Sequence, residues 1–349
     1  MKKNFYKWAI FVAFMILLPN CHLAQTKDKI TVAIDGSGDY TKIQDAVNAV
    51  PADKVGRTII FIKNGLYNAE KIIVPSDKKR ITFKGESREK TILSYHIFDC
   101  TGGLNNKCPA EDAAKWEGQN IRTSASVTIQ GDEFRAENIT FQNTAGPVGQ
   151  ALAVFITSDK NTFINCDFLG YQDTMLLGKD GTRSYFKNCM VLGRTDYIYG
   201  GGIGYFDSCE IRSFGGGWIT APSTPKDQKY GFVFNKCKLT FVGNSPRAKD
   251  DTQPFSLGRP WHNYPKVAWL NCEMAKELNP LGWPTTWRMD YASTSADLHL
   301  YEYNNKGEGA NMTGRAKWEG LKALSAAEAK FYSMENVLNG SDKWMPSAK

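Results

Sequence analysis

Polar and apolar positions along the middle of the chain repeat one short pattern: an aromatic or apolar residue, a polar pair, a cysteine, a polar residue and an apolar residue. It reads FINCDF at Cys166, YFKNCMV at Cys189, YFDSCEI at Cys209, FNKCKL at Cys237 and WLNCEM at Cys272, and AENITF has the same form with Ile139 in the cysteine's place. Successive spacings are 27, 23, 20, 28 and 35 residues. Repeats of this size belong to stacked architectures, where each unit buries its core face only against its neighbours. Each unit is a short alternating strand flanked by Gly, Asn and Asp, with no helical periodicity between units. The pattern predicts an all-β fold, a right-handed parallel β-helix, with the cysteines inward and stacked as small buried hydrophobes.

Two segments depart from that period. From Thr41 to Val50, Ile43, Val47 and Val50 fall on one helical face, and Thr41 with Gln44 reads as a capping box. This short N-terminal helix is expected to cover the open end of the β-helix and protect its edge strands. Ser325 to Leu338 reads as a C-terminal helix packed on the flank, with Ala329, Tyr332 and Val337 among its packing residues and Gly340 as its stop. Together the elements describe a single domain over residues 28–346.

Residues 1–24 stand apart. Lys2, Lys3 and Lys7 precede an apolar run from Trp8 to Leu18, too short to span a bilayer core of about 30 Å as a helix. The run is read as an export signal, ending at Ala24 or, as a lipoprotein signal, before Cys21. The protein is therefore expected in the periplasm, outside the cell, or lipid-anchored at the outer surface. Removing the signal lowers the formal charge from +7 to +4, a mild excess that suits a polyanionic ligand better than a polycationic one. The rest of the composition, 42% hydrophobic and 23% charged, is that of a globular chain with a large core. Export permits disulfides, and Cys100 and Cys108, eight apart in a polar insertion, are the candidates for one. The five repeat cysteines accompany neither a CxxC motif nor a paired histidine, so metal binding is not expected of them.

The repeat gives two carboxylates a meaning. Asp173 in GYQDTML lies seven residues after Cys166, and Asp196 in GRTDYIYG lies seven after Cys189, so they occupy equivalent places on adjacent coils. Adjacent parallel strands are about 4.8 Å apart. Two carboxylates so close divide their protons unequally, one keeping its proton near neutral pH while the other ionises. That is the acid-and-nucleophile division hydrolysis requires. A pair of turn-capping aspartates would show the same spacing, and the neighbours favour the chemical reading. Tyr171, Tyr197 and Tyr199 offer flat faces to sugar rings, while Gln172 and Gln150 supply amide donors for an oxyanion hole. In SLGRPWHNYP, Arg259 could orient a carboxylate and Trp261 could stack on a pyranose. After export only His96, His262 and His299 remain, none beside a suitable serine, and there is no GxSxG elbow.

With these residues assembled, the chain resembles the pectin methylesterases, carbohydrate esterases that demethylate homogalacturonan. The resemblance rests on GSGDYTKIQDAVNAVP, FQNTAGPVGQALAVF, FLGYQDTML, GRTDYIYGGG, SLGRPW and the closing LSAAEAKFYSMENVLNGSDKWMP. It implies Asp196 as nucleophile, Asp173 as acid and then base, Gln150 and Gln172 as oxyanion donors, and Arg259 as the residue bonded to the nucleophile. Trp261 matches the sugar-contacting aromatic. The family implies no metal or organic cofactor, and methylated homogalacturonan as the partner; neither nucleic acid nor a protein partner is expected, and a monomer is. The chain departs from the common family pattern at Phe155, at Met175 and Leu176, and at Arg194 and Thr195, positions that bear on subsites. Two other readings stay open: a pectin-binding β-helix without turnover, and hydrolysis of a different ester on the same scaffold.

Overall fold

The computed structural model describes residues 27–346, apart from 102–107, 112, 244–245, 247–251, 286–288, 290 and 293. The export signal and Cys21 lie outside the described residues. Among those described, the strands form three sheets of eleven, eight and seven strands, and every strand pairing between them is parallel. One coil visits each sheet once. Asn161–Ile164, Asp167–Leu169 and Met175–Leu177 make one coil, and Arg183–Lys187, Met190–Gly193 and Ile198–Gly200 stack directly on it. The expected parallel β-helix is present.

Its first corner explains the cysteine repeat. Between the first and second strand of successive coils, Asn138, Asn165, Asn188, Ser208, Lys236 and Asn271 adopt φ between 51° and 57°. A left-handed residue turns the chain in one step, and Asn accepts that conformation better than most side chains. Asn165 Nδ2 donates to Asn138 Oδ1 at 2.8 Å, and Asn304 Nδ2 to Asn271 Oδ1 at 2.9 Å, so the side chains also link coils. The next residue then points inward. Cys166, Cys189, Cys209, Cys237 and Cys272 are all buried and free of disulfides.

Beside the cysteines runs an aromatic ladder set by register. Phe163, Phe186, Phe206, Phe234 and Trp269 stack with centroids 4.9, 4.5, 4.6 and 3.8 Å apart. Each is fully buried, so area burial and ring contact both contribute, the latter about 0.5–1.5 kcal/mol per pair.

The N-terminal helix is Ile43–Ala49, with Ile43, Ala46 and Val47 buried, as its apolar face predicts. Its cap differs from expectation: Lys42 is the N-cap, with no side-chain hydrogen bond. Gln44 is occupied elsewhere. Its amide accepts from Ile73 N at 2.7 Å and donates to Ile73 O at 3.0 Å, pairing with the outermost strand Ile72–Val74 of the seven-stranded sheet. An edge strand with open backbone groups outcompeted the helix end for this side chain.

The C-terminal segment is not the single helix the sequence suggests. It comprises helix Ala326–Ala329, a 3-10 turn Lys330–Tyr332 and helix Met334–Leu338. Ser333, at ψ 152°, breaks the run and caps the second helix by accepting from Asn336 N. Val337 and Leu338 are buried against Tyr185, Tyr205 and Val233 on the outer face of the eleven-stranded sheet, and Gly340 takes φ 59° after the last turn. The flank position is as expected.

Candidate active site

The second corner of a coil, between its second and third strands, is where Asp173 and Asp196 fall. In one coil it is 170–174 and in the next 194–197, and the two are in register: Gln172 bridges Thr195, and Met175 pairs with Ile198. Asp173 and Asp196 are therefore stacked equivalents. Their φ values are 64° and 50°, so these are left-handed corner residues too. The backbone stays on the ladder, with Asp173 N–H donating to Thr195 O at 3.0 Å and Asp196 N–H to Trp218 O at 2.8 Å. The corner is tight enough that a Cβ on Gly193 would lie 2.3 Å from Tyr197 Cβ. Such an approach admits glycine.

Both carboxyls are almost closed off, Asp173 at 2% and Asp196 at 1% exposure. Arg259, which follows strand Ser256–Gly258 two coils further on, reaches back to Asp196. Its Nε donates to Asp196 Oδ1 at 2.8 Å and to Oδ2 at 3.1 Å, and its Nη2 also donates to Oδ2. The guanidinium is sandwiched between Trp218 and Trp261, at 5.3 and 5.1 Å from their ring centroids. Burial, the fork of hydrogen bonds and two aromatic faces fix one geometry for this pair.

The two aspartates consequently differ in their titration. Burial pushes Asp173 well above the usual carboxylate range, and the charge of Asp196 adds to it; the Tyr199 hydroxyl and Arg259 oppose the rise, and Asp99 reinforces it. Burial also raises Asp196, but there the bonds and charge of Arg259 pull it back. Asp196 is thus the first to ionise and Asp173 holds its proton longer. Tyr199, itself pushed well up by burial and then by Asp173, lies in electrostatic reach of that carboxyl without completing a well-aligned hydrogen bond.

Most of the expected residues meet here. Gln150 and Gln172 adjoin through Ala151 N–H, which donates to Gln172 O at 3.1 Å, and Gln150 Oε1 is buried with no partner among the described residues. Trp261 and Tyr199 line a cleft of about 780 Å³ with Leu176, Ala221, Arg122 and Lys226. Phe155, Leu176, Tyr199 and Ala221 pair in register and form an apolar floor. Tyr171 is buried at the corner with its ring 5.7 Å from Phe214. Tyr197 is where the expectation fails: it is fully buried in the β-helix core, its hydroxyl 2.8 Å from Ser213 Oγ, and cannot face a sugar. The turn at Asp196 breaks strand alternation, so Tyr197 points inward and Tyr199, inside the strand, points out. The sequence reading also missed Trp218. It lies 22 residues after Asp196, as Asp196 lies 23 after Asp173, so the same spacing extended one coil would have found it.

Among the described residues no group of three or more His, Cys, Asp or Glu is placed to hold a metal ion. The site is thus a buried carboxylate pair, one member clamped by arginine, near an apolar floor. The pectinesterase family profile matches residues 29–341. The chain belongs to the pectinesterase family. A pectinesterase of Daucus carota is 34% identical over 324 residues, which cover 90% of this chain and 94% of that one. A solved pectin methylesterase from carrot superposes with a TM-score of 0.78 at 32% identity, covering 90% of this chain and 93% of the other. A pectin methylesterase mutant solved in complex with a hexasaccharide gives a TM-score of 0.74 at 25% identity, over 92% and 98% of the two chains. Probable pectinesterase/pectinesterase inhibitor 13 of Arabidopsis thaliana is 35% identical over 323 residues, 90% of this chain but 49% of its own length. The chain thus spans about half the length of that relative. The fold is the right-handed parallel β-helix of this pectinesterase family.

Proposed function

We propose that this protein hydrolyses the methyl esters of polygalacturonate, releasing methanol and a free carboxylate. The observation that carries the reading is the asymmetry of the stacked pair: the arginine fork is bonded to Asp196, while Asp173 is buried beside that charge. Two carboxyls of equal environment would serve one role; these serve two.

In the first half-reaction an Asp196 oxygen bonds to the ester carbonyl carbon, and the carbonyl π pair moves onto its oxygen. Gln150 and Gln172 donate to that oxyanion. The tetrahedral intermediate collapses with cleavage of the carbon–methoxy bond, and Asp173 gives its proton to the departing methoxy oxygen, so methanol leaves neutral. What remains is an anhydride between Asp196 and the galacturonate, and Asp173 is now a carboxylate. In the second half Asp173 takes a proton from water as its oxygen attacks the galacturonate carbonyl, and the anhydride bond breaks to regenerate Asp196. Splitting one hard displacement into two is the gain of carboxylate nucleophilic catalysis. Arg259 keeps Asp196 ionised and aimed, Trp261 and Tyr199 offer faces for sugar rings, and the floor of Phe155 and Leu176 suits an uncharged ester. The polymer is methylated homogalacturonan, met after export; a disulfide between Cys100 and Cys108 fits an oxidising compartment.

The test is methanol release from highly methylated pectin by the protein lacking residues 1–24. Release with unchanged polymer length supports the esterase. A folded protein that binds pectin and releases nothing would sink it in favour of a binding module, and shortened chains would point to a lyase or glycosidase.

A further inference from the structure

The catalytic corner belongs to a column. Reading along the β-helix, the same corner is 144–151 with Gln150, then 170–174 with Gln172 and Asp173, then 194–197 with Asp196. One coil before Gln150 the corner runs from strand Thr91–Tyr95 to strand Ala125–Ile129 and holds the insertion that the reaction above leaves unused. It is a built element. Cys100 and Cys108 are joined by a disulfide, and Ile97, Cys100 and Trp116 form a small core with Phe98, whose ring lies 4.8 Å from Trp116.

This element is latched to the oxyanion coil. Asp99 N–H donates to Gln150 O at 2.8 Å, and Thr144 N–H to Tyr95 O at 3.1 Å. Asn143 Nδ2 donates to Ile97 O at 2.8 Å, Leu152 O at 3.0 Å and Ser124 O at 3.2 Å, tying both ends of the insertion to the strand after Gln150. The Asp99 side chain is 7% exposed and accepts from Thr101 N at 3.0 Å and Thr101 Oγ1 at 2.8 Å. Its charge reaches both Asp173 and Tyr199.

We infer that Asp99, next to the Cys100–Cys108 disulfide, is a positioning residue of the active site: its main chain sets Gln150, and its carboxylate adds a third acidic charge within reach of Asp173. The inference rests on the esterase reading. The main-chain bond fixes where the Gln150 amide starts, so loosening the loop lowers kcat more than it raises KM. Asp173 feels the charges of Asp196, Arg259 and Asp99 and the hydroxyl of Tyr199; removing one negative charge lets it lose its proton at lower pH.

The experiment compares the protein lacking residues 1–24, Asp99→Asn, and the double variant Cys100→Ser with Cys108→Ser, measuring kcat, KM and pH profile for methanol release alongside Tm. Asn keeps the acceptor for Thr101, so Asp99→Asn isolates charge. Expected are an alkaline limb moved down by on the order of half a pH unit in Asp99→Asn at unchanged Tm, and a kcat lowered roughly tenfold with KM nearly unchanged in the double variant. An active parent whose Asp99→Asn keeps its pH profile, or a double variant whose loss of kcat is matched by its loss of Tm, would overturn the inference. No methanol from the parent would instead strike the esterase reading itself.

Discussion

The two coils that carry Asp173 and Asp196 turn on a left-handed residue at both their first and second corners, and the two corners use that device for opposite ends. At the first corner the residue is usually Asn, its side chain bonds the coil before it, and the cysteine that follows fills the interior. At the second corner of two adjacent coils it is Asp, and the stacked side chains are two carboxyls with 1–2% exposure. Stacked amides satisfy one another, donor to acceptor, as Asn165 does with Asn138 and Asn304 with Asn271. A ladder of carboxylates cannot, because each brings acceptors and charge, so the second corner needs Arg259 and a retained proton. The fold accepts a local conflict at one corner and relaxes it at the other, and the conflict is where we place the reaction.

The sharpest way to break that comparison is to turn the catalytic corner into the structural one. Asp196→Asn keeps the left-handed turn and an acceptor for Arg259 but removes the nucleophile. Methanol release should fall by roughly 10⁴-fold with the circular dichroism of the β-helix unchanged, and activity within tenfold of the parent would deny Asp196 its role.

Next in size is Arg259→Gln. Without the guanidinium the buried Asp196 charge loses its partner, at a cost of about 3–5 kcal/mol, and its carboxyl rises further. The acid limb of kcat/KM should move to higher pH and Tm should drop; an unmoved acid limb would mean Arg259 does not set the nucleophile's ionisation.

Asp173→Asn separates stability from activity. The folded-state pKa of Asp173 is raised, so its favourable contribution is present below the unfolded carboxylate value of about 3.9 and is lost as pH rises through the folded value. At neutral pH the Asn variant should be inactive and yet more stable, by roughly 2 °C or more in Tm. A lower Tm would show that the carboxyl is a stabilising cap after all.

The smallest effect belongs to the structural corner. Asn165→Ala loses the bond to Asn138 and must place an alanine at φ 53°, costing about 1–2 kcal/mol with kcat unchanged. Asn165→Gly should cost less, since glycine takes positive φ freely.

How far the sequence reveals this division depends on the kind of residue. The cysteine spacing exposes the coil, and counting seven from Cys166 and Cys189 reaches both aspartates, because stacked coils keep register. Tyr197 is misread because the period-two rule holds within a strand and fails across a corner, where one left-handed residue reverses inside and outside. Gln44 and Ser333 are misread for a different reason. A local cap signal competes with a distant edge strand in one case, and a helical pattern with a serine's own capping preference in the other; neither contest can be decided from neighbours in sequence. Asp99 gives no signal by spacing because its corner is twenty-nine residues long, where those that carry Asp173 and Asp196 take five and four.

The central claim is that two equivalent corner aspartates hold unequal protons. Infrared difference spectroscopy at neutral pH, comparing the parent with Asp173→Asn, reads this directly through the carbonyl stretch of a protonated carboxylic acid. The account predicts one such buried band in the parent and its loss in Asp173→Asn. A parent without the band, or a band that survives in Asp173→Asn and vanishes in Asp196→Asn, would contradict it.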